Sequence, residues 1–153
     1  MTIISLHQIS SRLDRVFEAS SCIEDDEIKA HYARYLCVLT SGYLEESIRI
    51  IISNYVLRRS PQTLSNYINV STKNLTNLKT EKISLFLASF DNEWKEKFED
   101  LLTDEEKDSV DSVVANRHQI AHGKNVGVSY VRVEKWYKNV KLVVGKISTI
   151  VNS

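Results

Sequence analysis

The run from Asp25 to Arg59 reads DDEIKAHYARYLCVLTSGYLEESIRIIISNYVLRR and predicts one long α-helix. It contains no proline and a single glycine, so nothing in it interrupts a helical register. Acidic residues stand at its start and Arg58 and Arg59 at its end, which suits the dipole of a helix. We expect this helix to be the central element of the fold.

The composition as a whole agrees with a mostly helical protein. The chain has 153 residues, of which 42% are hydrophobic and 26% charged, with only four glycines and one proline. Architectures with many turns, such as β-sandwiches and propellers, need more of these turn residues. The balance of apolar and charged residues excludes disordered, collagen-like and membrane-spanning classes. We predict an all-α protein, a compact up-and-down helical bundle in which residues 1–153 form a single domain.

Helical periodicity recurs on both sides of the long helix. Thr103 followed by Glu106 is a capping box, and it predicts a helix that stops at Gly123. The segment KNVGVSYVRV after this helix is either a loop or a brief extended piece. The other predicted helices run from Ile3 to about Ala19, from Pro61 onward, from Leu75 to about Ser89, from Trp94 to Leu102 and from Val133 to Val151.

The net charge and the cysteines limit the partners and the compartment. Twenty basic residues balance twenty acidic ones, which argues against broad coating of nucleic acid and requires any anion site to be local. Cys22 and Cys37 lack the spacing of a disulfide framework or a zinc knuckle, so we expect reduced thiols. The chain starts without a signal-peptide pattern, and no segment reaches ~18 continuous apolar residues. We therefore expect a cytoplasmic protein with no membrane segment.

Arg117 lies in the middle of an otherwise apolar stripe of its predicted helix. With about 100° per residue, this stripe comprises Val110, Val113, Val114, Arg117 and Ala121. A guanidinium on an apolar face is costly to desolvate unless an anion meets it. The long helix carries one carboxylate, Glu46, in a second stripe, which comprises Tyr32, Tyr35, Leu36, Leu39, Tyr43, Glu46 and Ile50.

Two interpretations of Arg117 remain open on the residues alone. In the first, Arg117 and Glu46 form a structural ion pair. In the second, Arg117 lies where a cleft opens at the helix end and binds a phosphate, for which the planar, five-donor guanidinium is well suited.

Two histidines follow Arg117 on the same helix. His122 falls in the last turn before Gly123, where the carbonyl end of the helix favours an imidazolium and acid–base chemistry becomes available. A simple helix cap is the alternative for this residue. His118 and His122 are also four residues apart, as metal ligands can be, but the string HQIAH lacks the glutamate of a zinc protease and no third ligand is evident. We expect no metal and no cofactor.

The eight residues Asn116–Gly123, NRHQIAHG, resemble the R-x4-H signature of HEPN domains. The upstream string SGYLEESIRIII, Ser41–Ile52 on the long second helix, is similar to the RiboL-PSP type of HEPN domain. The predicted helical fold and the length of the chain agree with this resemblance from end to end.

The resemblance implies a helical bundle that forms a homodimer, with two R-x4-H motifs facing one another across a shared cleft. Many such domains are metal-independent endoribonucleases of toxin–antitoxin, abortive-infection or CRISPR-linked defence systems, which use the RNA 2′-hydroxyl as nucleophile. Carried onto this chain, Arg117 would hold the scissile phosphate and His122 would act as general base or acid. His118 and Asn116 would support the site or bind RNA. The helical wheel, rather than the family, suggests Glu46 as the carboxylate that positions Arg117.

Two other functions remain open. The chain could be a non-catalytic HEPN module that binds RNA, a nucleotide or a partner protein through the same cleft, or a purely structural dimerisation protein. An antitoxin or a nucleotidyltransferase is a possible partner by family analogy.

Overall fold

The computed structural model describes residues 5–153, and within them the chain forms α-helices and no strands. The start of the first predicted helix at Ile3 lies outside the described residues. The described helices are α1 (Leu6–Ser21), α2 (Asp26–Arg59), α3 (Gln62–Ser71), α4 (Thr80–Ala88), α5 (Asn92–Leu101), α6 (Asp104–Ala121) and α7 (Tyr130–Asn152). The prediction of an all-α bundle with a long second helix is confirmed.

Helix α2 lies at the centre of the bundle and packs against α1, α3, α6 and α7. Its apolar residues include side chains that are wholly removed from solvent, among them Leu36, Leu44, Ile48 and Ile52. The facing sides of α6 and α7 are β-branched, and Val110 and Ile147 are equally buried there. Burial of this many large apolar side chains in one cluster is the main stabilising contribution to the fold.

Helices α1 and α7 run antiparallel and are joined by tyrosine hydroxyl groups. The hydroxyl of Tyr130 donates to the Phe17 carbonyl at 2.9 Å. About two turns further along α7, the Tyr137 hydroxyl donates to the Asp14 carboxylate at 2.6 Å, and its ring stacks on Phe17 with centroids 4.4 Å apart. Lys141 adds an ion pair to Asp14 at 2.9 Å. These contacts fix α7, and through it the loop that precedes it.

Two predicted boundaries are corrected. The helix expected from Leu75 begins only at Thr80, because the Asp111 carboxylate accepts hydrogen bonds from the Thr80 amide (2.8 Å) and hydroxyl (3.1 Å) and so caps α4 from α6. Leu75 and Leu78 are packed into the core from an irregular segment, and their three-residue spacing imitated a helix. The segment KNVGVSYVRV is a loop only as far as Ser129, after which its last four residues open α7.

The predicted capping box at the start of α6 is confirmed. The Thr103 hydroxyl accepts from the Glu106 amide at 3.2 Å, and the Glu106 carboxylate accepts from the Thr103 amide at 3.0 Å. Lys146 of α7 binds the same carboxylate at 2.6 Å, and Glu106 is buried. Burial alone would raise the pKa of Glu106, but the hydrogen bonds from Lys146 and from Thr103 outweigh it, so this pKa lies below its ordinary value.

This lowered pKa predicts a pH-dependent contribution of Glu106 to stability. Since the carboxylate is favoured in the folded state, its contribution is present above the ordinary glutamate pKa and is lost as the pH falls through the lower folded value. We expect wild type to unfold at a higher temperature than Glu106→Gln at pH 7, and the difference to shrink as the pH is lowered to 3. Other carboxyl groups titrate in both proteins and cancel, so a difference that does not change with pH would contradict this assignment.

Candidate active site

The last turns of α6 extend from the core into solvent. Val110, Val113 and Val114 are buried, and the Val113 carbonyl lies 3.6 Å from the Cys37 sulfur of α2. Beyond this contact the exposure rises along the helix: Arg117 is half-buried, and His118 and His122 are exposed. The core therefore anchors α6 and leaves the motif at an accessible helix end.

The end of α6 is fixed by its backbone. Gly123 adopts φ +70°, its amide donates to the Ile120 carbonyl at 3.0 Å, and the Lys124 amide donates to the Gln119 carbonyl at 3.1 Å. This pair of bonds is a Schellman motif, and glycine takes the left-handed position in it without the steric cost of a Cβ atom. The predicted stop at Gly123 is confirmed, and the turn sets the position of His122, which is the cap residue.

The two histidines of the motif are in contact. Their ring centroids lie 4.4 Å apart at an interplanar angle of 62°, and the His122 amide donates to the His118 carbonyl at 3.2 Å. Both rings are accessible to a ligand.

The Arg117 side chain has no hydrogen bond or ion pair to any other residue in the part of the chain that is described. The Glu46 carboxylate, its expected partner, forms an ion pair with Arg49 of the same helix. Arg49 in turn donates to the Thr72 carbonyl at 3.3 Å. The prediction that Glu46 pairs with Arg117 within the chain, and positions it in that way, is wrong, and the donors of Arg117 are left for another group.

The wrong pairing of Glu46 with Arg117 has a physical cause, which is the direction that this face of α2 takes in the bundle. The stripe that contains Glu46 is not uniformly buried, since Tyr32 and Tyr35 on it face solvent. Glu46 itself borders an apolar groove between α1 and α2 together with Ile9 and Leu13, whereas α6 packs on the side of α2 that carries Cys37. A helical wheel gives the direction of a side chain but not which neighbouring helix occupies that direction.

Asn116 is tied to its own helix. Its side-chain amide donates to the Ser112 carbonyl at 2.7 Å, so this group is occupied by a bond within α6. One residue that the sequence spacing did not single out contacts the loop that follows α6, residues 122–129, here called the motif loop. Arg34 of α2 donates to the Asn125 side chain at 3.1 Å and contacts the His31 ring nitrogen at 2.6 Å. Nothing in the spacing of these residues distinguishes them from surface charges.

Two further properties of residues 5–153 bear on the kind of site. Within this range no three histidine, cysteine, aspartate or glutamate side chains come together as a set of metal ligands. Over the same range, no helix is sufficiently long and apolar to cross a bilayer.

The fold and the site together define a class of small all-α domains that present an arginine and a histidine at the exposed end of one helix. The model of one protein family, RiboL-PSP-HEPN, matches residues 3–153, which is nearly the whole chain. The chain therefore belongs to the RiboL-PSP type of the HEPN family, as its R-x4-H motif and the string Ser41–Ile52 together predicted. Membership of this family suggests an RNase-type or RNA-related module. Neither the curated proteins nor the solved structures give a significant match.

Proposed function

We propose that this protein is a metal-independent endoribonuclease of a prokaryotic defence or toxin–antitoxin system. The observation that carries the proposal is the unpartnered guanidinium of Arg117, half-buried on the same helix end as the exposed rings of His118 and His122. A half-buried cation without an anion costs free energy in the free protein. A phosphate of an RNA strand relieves this cost, and the neighbouring imidazoles supply the groups that its cleavage needs.

In the proposed reaction Arg117 binds the non-bridging oxygens of the scissile phosphate through two parallel N–H donors and stabilises the charge that develops on them. One imidazole takes the proton of the 2′-hydroxyl, whose oxygen attacks the phosphorus. The bond to the 5′-oxygen of the next nucleotide breaks, and a second imidazole donates the proton that this oxygen takes up. The products are a 2′,3′-cyclic phosphate and a 5′-hydroxyl. His118, packed on His122, orients the ring or the RNA.

The spacing of the motif favours a site that two chains share. Five residues of helix separate Arg117 from His122 by about 7.5 Å along the axis and by about 140° around it. Within one chain the two side chains therefore leave α6 in different directions, and only one catalytic imidazole is available. A two-fold axis that brings two helix ends together doubles the number of arginine and histidine side chains at the site. The guanidinium of one chain and the imidazole of the other can then meet at one phosphate.

The exposed face of α2 offers the interface for such a homodimer. It is an apolar stripe in which Ile28, Tyr32 and Tyr35 are each 42–52% exposed, and it continues into the groove between α1 and α2. Exposed apolar patches of this kind mark interaction sites on soluble proteins. The contact of Arg34 with Asn125, three residues past His122, places this half of α2 beside the motif loop. The end of α6 therefore lies at the same level along α2 as the stripe but on a different side of that helix, and we propose that the two-fold axis of the dimer passes beside this half of α2.

Incubation of RNA with the purified protein in excess EDTA tests the proposal. We expect cleavage to proceed at the same rate as without the chelator, because no step of the proposed reaction uses a metal ion. Cleavage that stops on chelation would contradict the proposed chemistry. Binding of RNA that weakens with salt but yields no product would favour the alternative, a non-catalytic HEPN module that binds nucleic acid.

A further inference from the structure

A cleft of about 450 Å³ lies between α4 and α6 and shares His118 with the R-x4-H motif. Its apolar wall consists of Leu85, Val114 and Ala115. Leu85 is 60% exposed although it is a leucine, so the free protein leaves an apolar surface open here. The polar rim is formed by Asn77, Lys79, Glu81, Lys82, His118 and Gln119.

The two walls of the cleft are held at a fixed separation. Asp111 of α6 accepts two hydrogen bonds from Thr80, the first residue of α4, and this attaches one helix to the other. Asn77 at the rim has φ +53°, in the left-handed region, and its amide donates to the Glu45 carboxylate at 3.3 Å. Asparagine adopts this conformation more readily than most residues, and the bond to Glu45 attaches the rim to α2. The cleft is thus preformed, as ligand sites commonly are.

We propose that this cleft binds the nucleotide next to the scissile phosphate, and this inference rests on the proposed ribonuclease function. The base would lie against the apolar wall of Leu85, Val114 and Ala115. Of the two rim lysines, Lys82 donates to the Thr76 carbonyl at 2.6 Å, whereas Lys79 makes no side-chain hydrogen bond or ion pair within residues 5–153. The Lys79 ammonium group is therefore the one that would bind the adjoining phosphate.

The distance along α6 agrees with a step to a neighbouring nucleotide. Ala115 in the cleft and His122 at the helix end are seven residues apart, which is about 10 Å of helix. An extended strand covers this length in one to two nucleotides, so a strand whose phosphate lies at His122 can pass His118 and place a neighbouring base in the cleft. The side-chain amides of Asn77 and Gln119 on the rim offer hydrogen-bond donors and acceptors to the edge of that base.

The test compares two exposed leucines. Leu85→Glu places a carboxylate in the cleft, and Leu142→Glu makes the same change on α7, where Leu142 is 56% exposed and does not line the cleft. Both variants should fold, since each side chain already faces solvent, and thermal unfolding checks this. The probe is a fluorescein-labelled 12-nucleotide RNA with 2′-O-methyl groups, which cannot be cleaved by 2′-hydroxyl attack, and its dissociation constant is measured by anisotropy.

We expect Leu85→Glu to weaken binding of this probe about tenfold or more, and Leu142→Glu to change it less than twofold. Equal effects of the two variants, or no binding of the probe by wild type, would overturn the inference. If the probe binds with this difference but ordinary RNA is not cleaved, the cleft binds RNA as proposed and the nuclease proposal is wrong. If wild type and Leu85→Glu cleave ordinary RNA equally well, the nuclease proposal is supported and the assignment of the cleft as a nucleotide site is wrong.

Discussion

We expect Arg117→Ala and His122→Ala each to lower RNA cleavage about 10³-fold or more while the bundle stays folded. Arg117 supplies the cation at the phosphate and His122 the proton transfer, and loss of one such group costs on the order of 10²–10⁴ in rate. The fold should not depend on them, because the Arg117 side chain makes no hydrogen bond within the described residues and His122 is an exposed cap with an ordinary φ of −90°. Initial rates on a labelled RNA and thermal unfolding measure the two quantities.

Matched controls are available on other parts of the surface. Arg58→Ala removes an exposed arginine at the far end of α2, and His7→Ala removes an exposed histidine on α1. Both variants should cleave RNA as wild type does. Arg117→Lys keeps the charge but loses the planar fork, so we expect it to recover only part of the activity. Near wild-type cleavage by Arg117→Ala or His122→Ala would exclude the proposed roles.

The second large effect concerns the site that two chains share, and Tyr35→Glu should dissociate the dimer at working concentrations and thereby remove the activity. Tyr35 lies in the exposed stripe of α2 and is 52% exposed, so a charge there is tolerated by the isolated chain. In a dimer formed through the stripe, the same charge would be removed from water at the interface, which costs free energy. We expect the dimer to weaken about 100-fold or more, and analytical ultracentrifugation should find the mass of a single chain at micromolar concentration.

Tyr67→Glu is the control for this variant. Tyr67 is 68% exposed and belongs to a second apolar stripe, on α3, with Leu64 and Val70. If the α2 stripe is the interface, Tyr67→Glu remains a dimer and cleaves RNA normally. If only Tyr67→Glu dissociates the dimer, the interface lies on α3 instead. A wild-type chain that cleaves RNA as a monomer would contradict a site shared by two chains.

The parts of the fold that could be predicted are those set by local patterns. The long helix α2 follows from an uninterrupted run with charges suited to both ends, and the start and stop of α6 follow from Thr103, Glu106 and Gly123, whose side chains or backbone act within a few residues. The motif residues Arg117 and His122 were located by the same short-range spacing. In these cases the interaction that fixes the structure is contained in the segment itself.

The parts that failed depend on contacts between distant segments. Helix α4 begins late because Asp111, more than thirty residues away, caps it. Glu46 binds Arg49 because the stripe it belongs to faces α1 and solvent rather than α6. The contact between Arg34 and Asn125 likewise joins segments that sequence spacing does not relate. Periodicity gives the faces of each helix, whereas the pairing of faces is decided by packing.

The chemical ends of the RNA products test the proposed ribonuclease activity most directly. RNA cleaved by the wild-type protein in EDTA should carry a 2′,3′-cyclic phosphate on the upstream fragment and a 5′-hydroxyl on the downstream one. Mass spectrometry of the fragments, together with labelling by polynucleotide kinase with and without prior phosphatase treatment, distinguishes these ends. Products with a 3′-hydroxyl and a 5′-phosphate, formed only when a divalent metal is present, would contradict attack by the 2′-hydroxyl at a site built from Arg117 and His122.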